Sequence, residues 1–150
     1  MSELRELYQE VILDHNKNPR NFKKLEQHSH HANGHNPLCG DKLELFLSVE
    51  GGVIKDISFV GSGCAISTSS ASLMTQFLKG KTVEETRDLF EHFHDLVTGK
   101  DLDEDAMDGL GKLAVFAGVQ EFPARVKCAS LSWHTLMNAI DSTDETAATE

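Results

Sequence analysis

The stretch "KLELFLSVEGGVIKDISFV", residues 42–60, decides the fold. It contains two alternating runs, 42–49 and 53–60, each with the period-two pattern of a strand that buries one face. Glu50-Gly51-Gly52 joins them, and a short connection with glycines is what a β-hairpin needs. Downstream, "GSGC" (61–64) ends the second strand and "AISTSSASLMTQFLKG" (65–80) predicts a helix stopped by Gly80. Thr82 and Glu85 have the spacing of a capping box for a third helix over about 83–97. The acidic, Gly-punctuated insertion "TGKDLDEDAMDGLG" (98–111) holds one short helix, followed by the short apolar segment "LAVFAGV" (113–119). Pro123 then sits at the favoured first position of a last helix running to about Ile140.

Upstream, residues 2–15 predict an amphipathic helix, with Leu4, Leu7, Tyr8, Val11 and Ile12 at helical spacing. "NKNPRNF" breaks it, and the histidine-rich 24–36 is read as an edge strand. The expected fold class is α+β: a small antiparallel sheet of about three strands packed against helices. Residues 1–140 are expected to be a single domain, and "DSTDETAATE" (141–150) a polar, disordered tail. No internal repeat or domain boundary stands out.

The chain has 150 residues, 39% of them apolar and 25% charged, with a formal net charge of −10. That charge argues against nucleic acid, which demands clustered Lys and Arg, and against an anionic membrane surface. No apolar run reaches the length of a membrane span, and the N-terminal stretch lacks the pattern of a signal peptide. The expected location is therefore the cytoplasm. Three cysteines in a reducing compartment point to metal binding or thiol chemistry rather than a disulfide framework.

Those cysteines all fall at ends of elements. Cys39 lies in the glycine-rich "NGHNPLCGD" (33–41), Cys64 follows the second long strand, and Cys128 is near the start of the last helix. The bland alternative is that each is a small buried hydrophobe. On the last helix, Val126, Ala129, Trp133, Leu136, Met137 and Ile140 share one stripe. At about 100° per residue, Cys128 falls outside it. Three thiols leave a tetrahedral metal one ligand short, and Asp41, two residues from Cys39, is the natural fourth. There is no CxxC pair, so spacing alone does not decide the matter.

Taken together, "NPLCGD", "GSGCAISTSSASLM" and "PARVKCASLSWHTL" resemble the IscU/NifU-like family of iron–sulfur assembly proteins over nearly the whole chain to about residue 140. Within it the chain is most similar to the SufU branch. Lys127 stands where IscU scaffolds carry a histidine before the last cysteine, and the stretch around 98–118 fits the insertion of SufU-type proteins. The resemblance implies one zinc per chain held by Cys39, Asp41, Cys64 and Cys128. It implies a sulfurtransferase in which Cys39 takes sulfane sulfur from a pyridoxal-phosphate-dependent cysteine desulfurase of the SufS type. A desulfurase histidine would replace Cys39 on the metal during transfer. A downstream iron–sulfur scaffold or other acceptor would then receive the sulfur.

Gly34 and Gly40 are expected to give the Cys39 loop its freedom, while Cys64 and Cys128 suit permanent ligands. Arg125 and Lys127 are candidates to steady the anionic centre or meet the partner. The rivals are an iron–sulfur cluster scaffold using the same cysteines and a non-catalytic zinc-stabilised interaction module.

Other signals read as bland. "GSGCAI" lacks the third glycine of a dinucleotide fingerprint. "DLDEDAMDG" lacks the glycine and glutamate of a calcium loop. The serines and threonine of 67–72 read as packing or capping residues, and His28, His30, His31 and His35 as a flexible tract that binds metal only adventitiously.

Overall fold

The computed structural model describes the backbone over residues 2–37, 40–141 and 147–148, and side chains over 9–37 and 40–141. Helix α1 spans Ser2–Lys17, followed by strands β1 (His30–Asn36), β2 (Asp41–Glu50) and β3 (Val53–Ser62). Helices α2 (Ala65–Leu78), α3 (Val83–Thr98) and α4 (Glu104–Leu110) come next, then 3₁₀ turns over Gly111–Glu121 and helix α5 (Pro123–Ile140). The three long strands form an antiparallel meander against which the helices pack, the α+β arrangement expected. Among the described residues no helix is long and apolar enough to cross a membrane.

The 42–60 hairpin turns on two residues. Glu50 pairs with Val53, and Gly51 and Gly52 have φ of 58° and 77°, the left-handed pair of a type I′ turn that matches strand twist. Leu43, Leu45 and Leu47 of β2 and Ile57 and Phe59 of β3 are buried in the main core, together with Leu73, Met74 and Leu78 of α2 and Trp133 and Leu136 of α5. Trp133 stacks on Phe93 of α3 at 4.7 Å, and Phe116 of the 3₁₀ segment meets Phe93 edge-on. The apolar segment 113–119 thus becomes 3₁₀ turns that bury Leu113, Val115, Phe116 and Val119.

Helix ends follow local chemistry. Thr82 Oγ1 accepts from Glu85 N and Glu85 Oε1 from Thr82 N, both at 3.0 Å, completing the capping box. Gly99 closes α3 with φ of 85°. Asp103 caps α4 by accepting from Ala106 N at 2.8 Å, so the acidic "DLDEDAMDG" starts a helix.

Two expectations need correction. The histidine-rich stretch is ordered: His28 and His31 lie with ring centroids 5.1 and 5.0 Å from Phe46 and cover that residue, which is buried on the opposite face of β2 from the leucines. His31 Nε2 also meets Glu44 Oε2 at 2.7 Å. Gly34 is not a hinge but an interior residue of β1, paired with Leu43. A Cβ there would collide with Thr135 Oγ1 of α5, so glycine is what lets strand and helix touch. Ala147–Ala148 form a fourth strand, β4, parallel to Gly34 and His35 on the otherwise open edge of β1. An edge strand offers unpaired backbone groups to any passing segment, and this short one lies along Gly34 and His35.

Candidate metal centre

Asp41, Cys64 and Cys128 come from three different elements and converge. One ligand-type atom from each lies within 4.8 Å of the other two. Asp41 is the first residue of β2, Cys64 follows β3 directly, and Cys128 sits in the second turn of α5. The sheet topology brings these ends together because β2 starts where β3 finishes, and α5 packs across the same end of β1 and β2.

Each side chain is held. Asp41 is fully buried, and its Oδ1 accepts a 2.8 Å hydrogen bond from the Cys64 backbone N–H. Its Oδ2 lies 3.9 Å from Cys64 Sγ and 3.5 Å from Asn36 Nδ2. The residue before Cys64 must be glycine, because a Cβ at Gly63 would come within 2.6 Å of Asp41 Oδ1. Cys64 is the N-cap of α2, with Sγ accepting from Ser67 N at 3.4 Å. Cys128 is 3% exposed, and its Sγ lies 3.6 Å from Asn36 Nδ2. Cys64 is only half-buried, so it provides the open side of the cluster.

The off-stripe position of Cys128 does not mean exposure, since α5 buries nearly its whole circumference. Leu131, opposite the Trp133 stripe, is as fully buried as Trp133.

The donor set fits a thiophilic divalent cation. A buried carboxylate without a counter-charge is costly, and among the described residues no Lys, Arg or His forms an ion pair with Asp41. Two thiols and one carboxylate are donors that zinc accepts, and tetrahedral coordination at about 2.3 Å from sulfur sets ligand atoms roughly 3.5–3.8 Å apart. The 3.9 Å separation of Cys64 Sγ and Asp41 Oδ2 is close to that edge. Among the described residues neither Cys64 nor Cys128 is in a disulfide.

Cys39, the expected fourth ligand and acceptor, lies outside the described residues. Its neighbours locate the connection that carries it: Asn36 and Asp41 pair directly across β1 and β2, and Gly40 has φ of 72° with nothing among the described residues within 4 Å of where a Cβ would stand. Arg125 is exposed, with its guanidinium 4.7 Å above the Phe122 ring, and Lys127 is half-buried. Neither forms a salt bridge among the described residues. Asn36 does not stand out in "NGHNPLCGD", where asparagine next to proline and glycine is the composition of a turn. Its burial in β1 was hidden because the inward-facing residues there, Ala32, Gly34 and Asn36, are too small or polar to show hydrophobic alternation.

Comparison with known proteins agrees with this geometry. The model of the NifU-like N terminal domain matches residues 7–141. The zinc-dependent sulfurtransferase SufU of Bacillus subtilis is 44% identical over 134 residues, covering 89% of both chains. The iron–sulfur cluster assembly scaffold protein IscU of Streptococcus pyogenes is 39% identical over 140 residues, covering 93% of this chain and 86% of that one. A crystal structure of FiSufU from Fervidobacterium islandicum, described as a scaffold protein for the SUF system, superposes with a TM-score of 0.82 at 35% identity. That match covers 87% of this chain and 94% of the other. With its sheet, its helices and its convergent Asp-Cys-Cys cluster, the chain belongs to the NifU-like N-terminal domain family.

Proposed function

We propose that this chain is a zinc-dependent sulfurtransferase of the SufU type. It accepts sulfur on Cys39 from a pyridoxal-phosphate-dependent cysteine desulfurase of the SufS type and passes it on for iron–sulfur cluster assembly. The observation that carries the reading is the convergence of Asp41, Cys64 and Cys128 around a buried carboxylate that has no cationic side chain among the described residues to balance it. With Cys39 as fourth ligand the set is closed, and zinc bound there would keep the thiols deprotonated and tie the β1–β2 connection to α2 and α5.

The chain's own part in transfer falls to Cys39. Its thiolate attacks the outer sulfur of the desulfurase's persulfide, a new S–S bond forms on Cys39, and the partner's S–S bond breaks. The partner cysteine leaves as thiolate, so nothing is oxidised or reduced overall. Asp41, Cys64 and Cys128, buried or fixed at element ends, stay in place while the connection carrying Cys39 moves. Gly40, already left-handed and unobstructed, supports that assignment.

The relatives include scaffold proteins as well as a sulfurtransferase. Lys127 favours sulfur transfer, because the scaffold pattern has histidine immediately before the last cysteine. Metal content and the visible spectrum of the purified protein separate the two. About one zinc per chain and no visible absorption is expected, since d¹⁰ zinc is colourless. Iron with sulfide and a visible band would establish the scaffold instead.

A further inference from the structure

We infer that Asn36 is the positioning residue of the metal centre: its side-chain amide holds Asp41 and Cys128 in register with each other and donates to the Cys128 sulfur when metal is bound. The inference rests on the metal-centre reading above and adds a role for a residue outside the ligand set.

Asn36 is 0% exposed at the last position of β1, directly opposite Asp41 in the strand register. Its Nδ2 lies 3.5 Å from Asp41 Oδ2 and 3.6 Å from Cys128 Sγ. The second is an ordinary N–H···S separation, and the first is a long contact that a small closure would make a good hydrogen bond. Both neighbours are acceptors once ionised, so the amide nitrogen must face them. One side chain therefore spans the β1–β2 hairpin and α5, whose ligands are 87 positions apart in sequence (128 − 41).

The other oxygen of Asp41 is already committed to the Cys64 N–H. Asn36 fixes the remaining carboxylate rotation and leaves Oδ2 aimed at the sulfurs. Donation to a thiolate also withdraws charge from it and tunes the strength of the metal–sulfur bond, the usual work of an outer partner. Leucine, with the same branching of side-chain heavy atoms, would occupy the space and supply no donor.

The test compares wild type with Asn36→Leu, each loaded with Zn²⁺, Co²⁺ or ¹¹³Cd²⁺. Zinc affinity by chelator competition should fall about 10–100-fold in the variant, the range typical for outer-shell partners. The thiolate-to-cobalt charge-transfer band should move to lower energy while the tetrahedral d–d pattern persists, because a thiolate without its hydrogen bond is easier to oxidise. In wild type, the Asn36 side-chain N–H should show scalar coupling to ¹¹³Cd through the sulfur, a readout that does not depend on the variant folding. Unchanged affinity with an unchanged charge-transfer band overturns the inference, as does absence of ¹¹³Cd coupling to Asn36 in a loaded wild type. If wild type takes up none of the three metals, the metal-centre reading fails and the inference with it; loading of wild type with no effect of Asn36 overturns the inference alone.

Discussion

At the scale of single residues, the members of the Asp41–Cys64–Cys128 cluster were legible and the contacts around it were not. Cys64 and Cys128 stand out because cysteines at element ends have few roles, and Asp41 because it lies two residues from Cys39. Asn36 and Gly63 do not stand out, because their roles are contacts across the fold: one amide reaching two acceptors, one absent Cβ making room for a carboxylate. His15 is another such residue. It is 3% exposed, with Nδ1 2.7 Å from Ser72 Oγ. Burial, and then the charge of Arg20, push its pKa below the usual histidine value. The folded state therefore disfavours the imidazolium that the unfolded chain accepts near pH 6.5. Stability is full above that pH and falls as pH drops toward the folded-state pKa, with a slope approaching about 1.4 kcal/mol per pH unit for one such group. Burial also pushes the pKa of His134 down, with the charge of His94 adding to it, so its contribution has the same sign. Urea titrations of the metal-free protein between pH 7.5 and 5.5 should show this decline. His15→Asn, which keeps a partner for Ser72, should make it shallower; an unchanged slope would remove His15 from the account.

At the scale of elements, the strands and helices with strong periodicity or caps were readable from local chemistry. The β2–β3 hairpin, the capping box of α3 and the proline start of α5 fall where the sequence predicts them. β1 was harder because its inward side is Ala32, Gly34 and Asn36, a strand shaped by close approach to α5 rather than by hydrophobic burial. Misreading Gly34 as a flexible loop residue follows from that. The two glycines flanking Cys39 should consequently respond differently to alanine. Gly34→Ala forces a methyl into Thr135 and Leu131 and should cost about 1–3 kcal/mol, the range for overpacking, while pushing β1 off α5. Gly40→Ala has open space and should cost roughly 1–2 kcal/mol, through its positive φ alone. Chemical denaturation measures both costs, and zinc affinity divides them further. Gly34→Ala should weaken metal binding by displacing Asn36. A Gly34→Ala protein as stable and as tight for zinc as wild type would contradict the close-approach role.

At the scale of the whole molecule, the α+β class followed from one hairpin and its flanking helical patterns, whereas the meeting of three element ends is a property of topology that no local window contains. The main core runs through β2, β3, α2, α3, the 3₁₀ segment and α5 without using Asp41, Cys64 or Cys128. The fold thus gathers the Asp41–Cys64–Cys128 cluster at one end of the sheet, and the central proposal is that sulfur passes through Cys39 while those three residues hold the metal. The most direct measurement is alanine and sulfide production by a SufS-type desulfurase acting on cysteine, with wild type, Cys39→Ala and zinc-depleted protein. It is paired with mass mapping of the sulfur adduct, an added mass of about 32 Da for one sulfur atom on a thiol. The account predicts that only zinc-loaded wild type accelerates turnover and that the adduct maps to Cys39. Full acceleration by Cys39→Ala, with the adduct on Cys64 or Cys128, would contradict it.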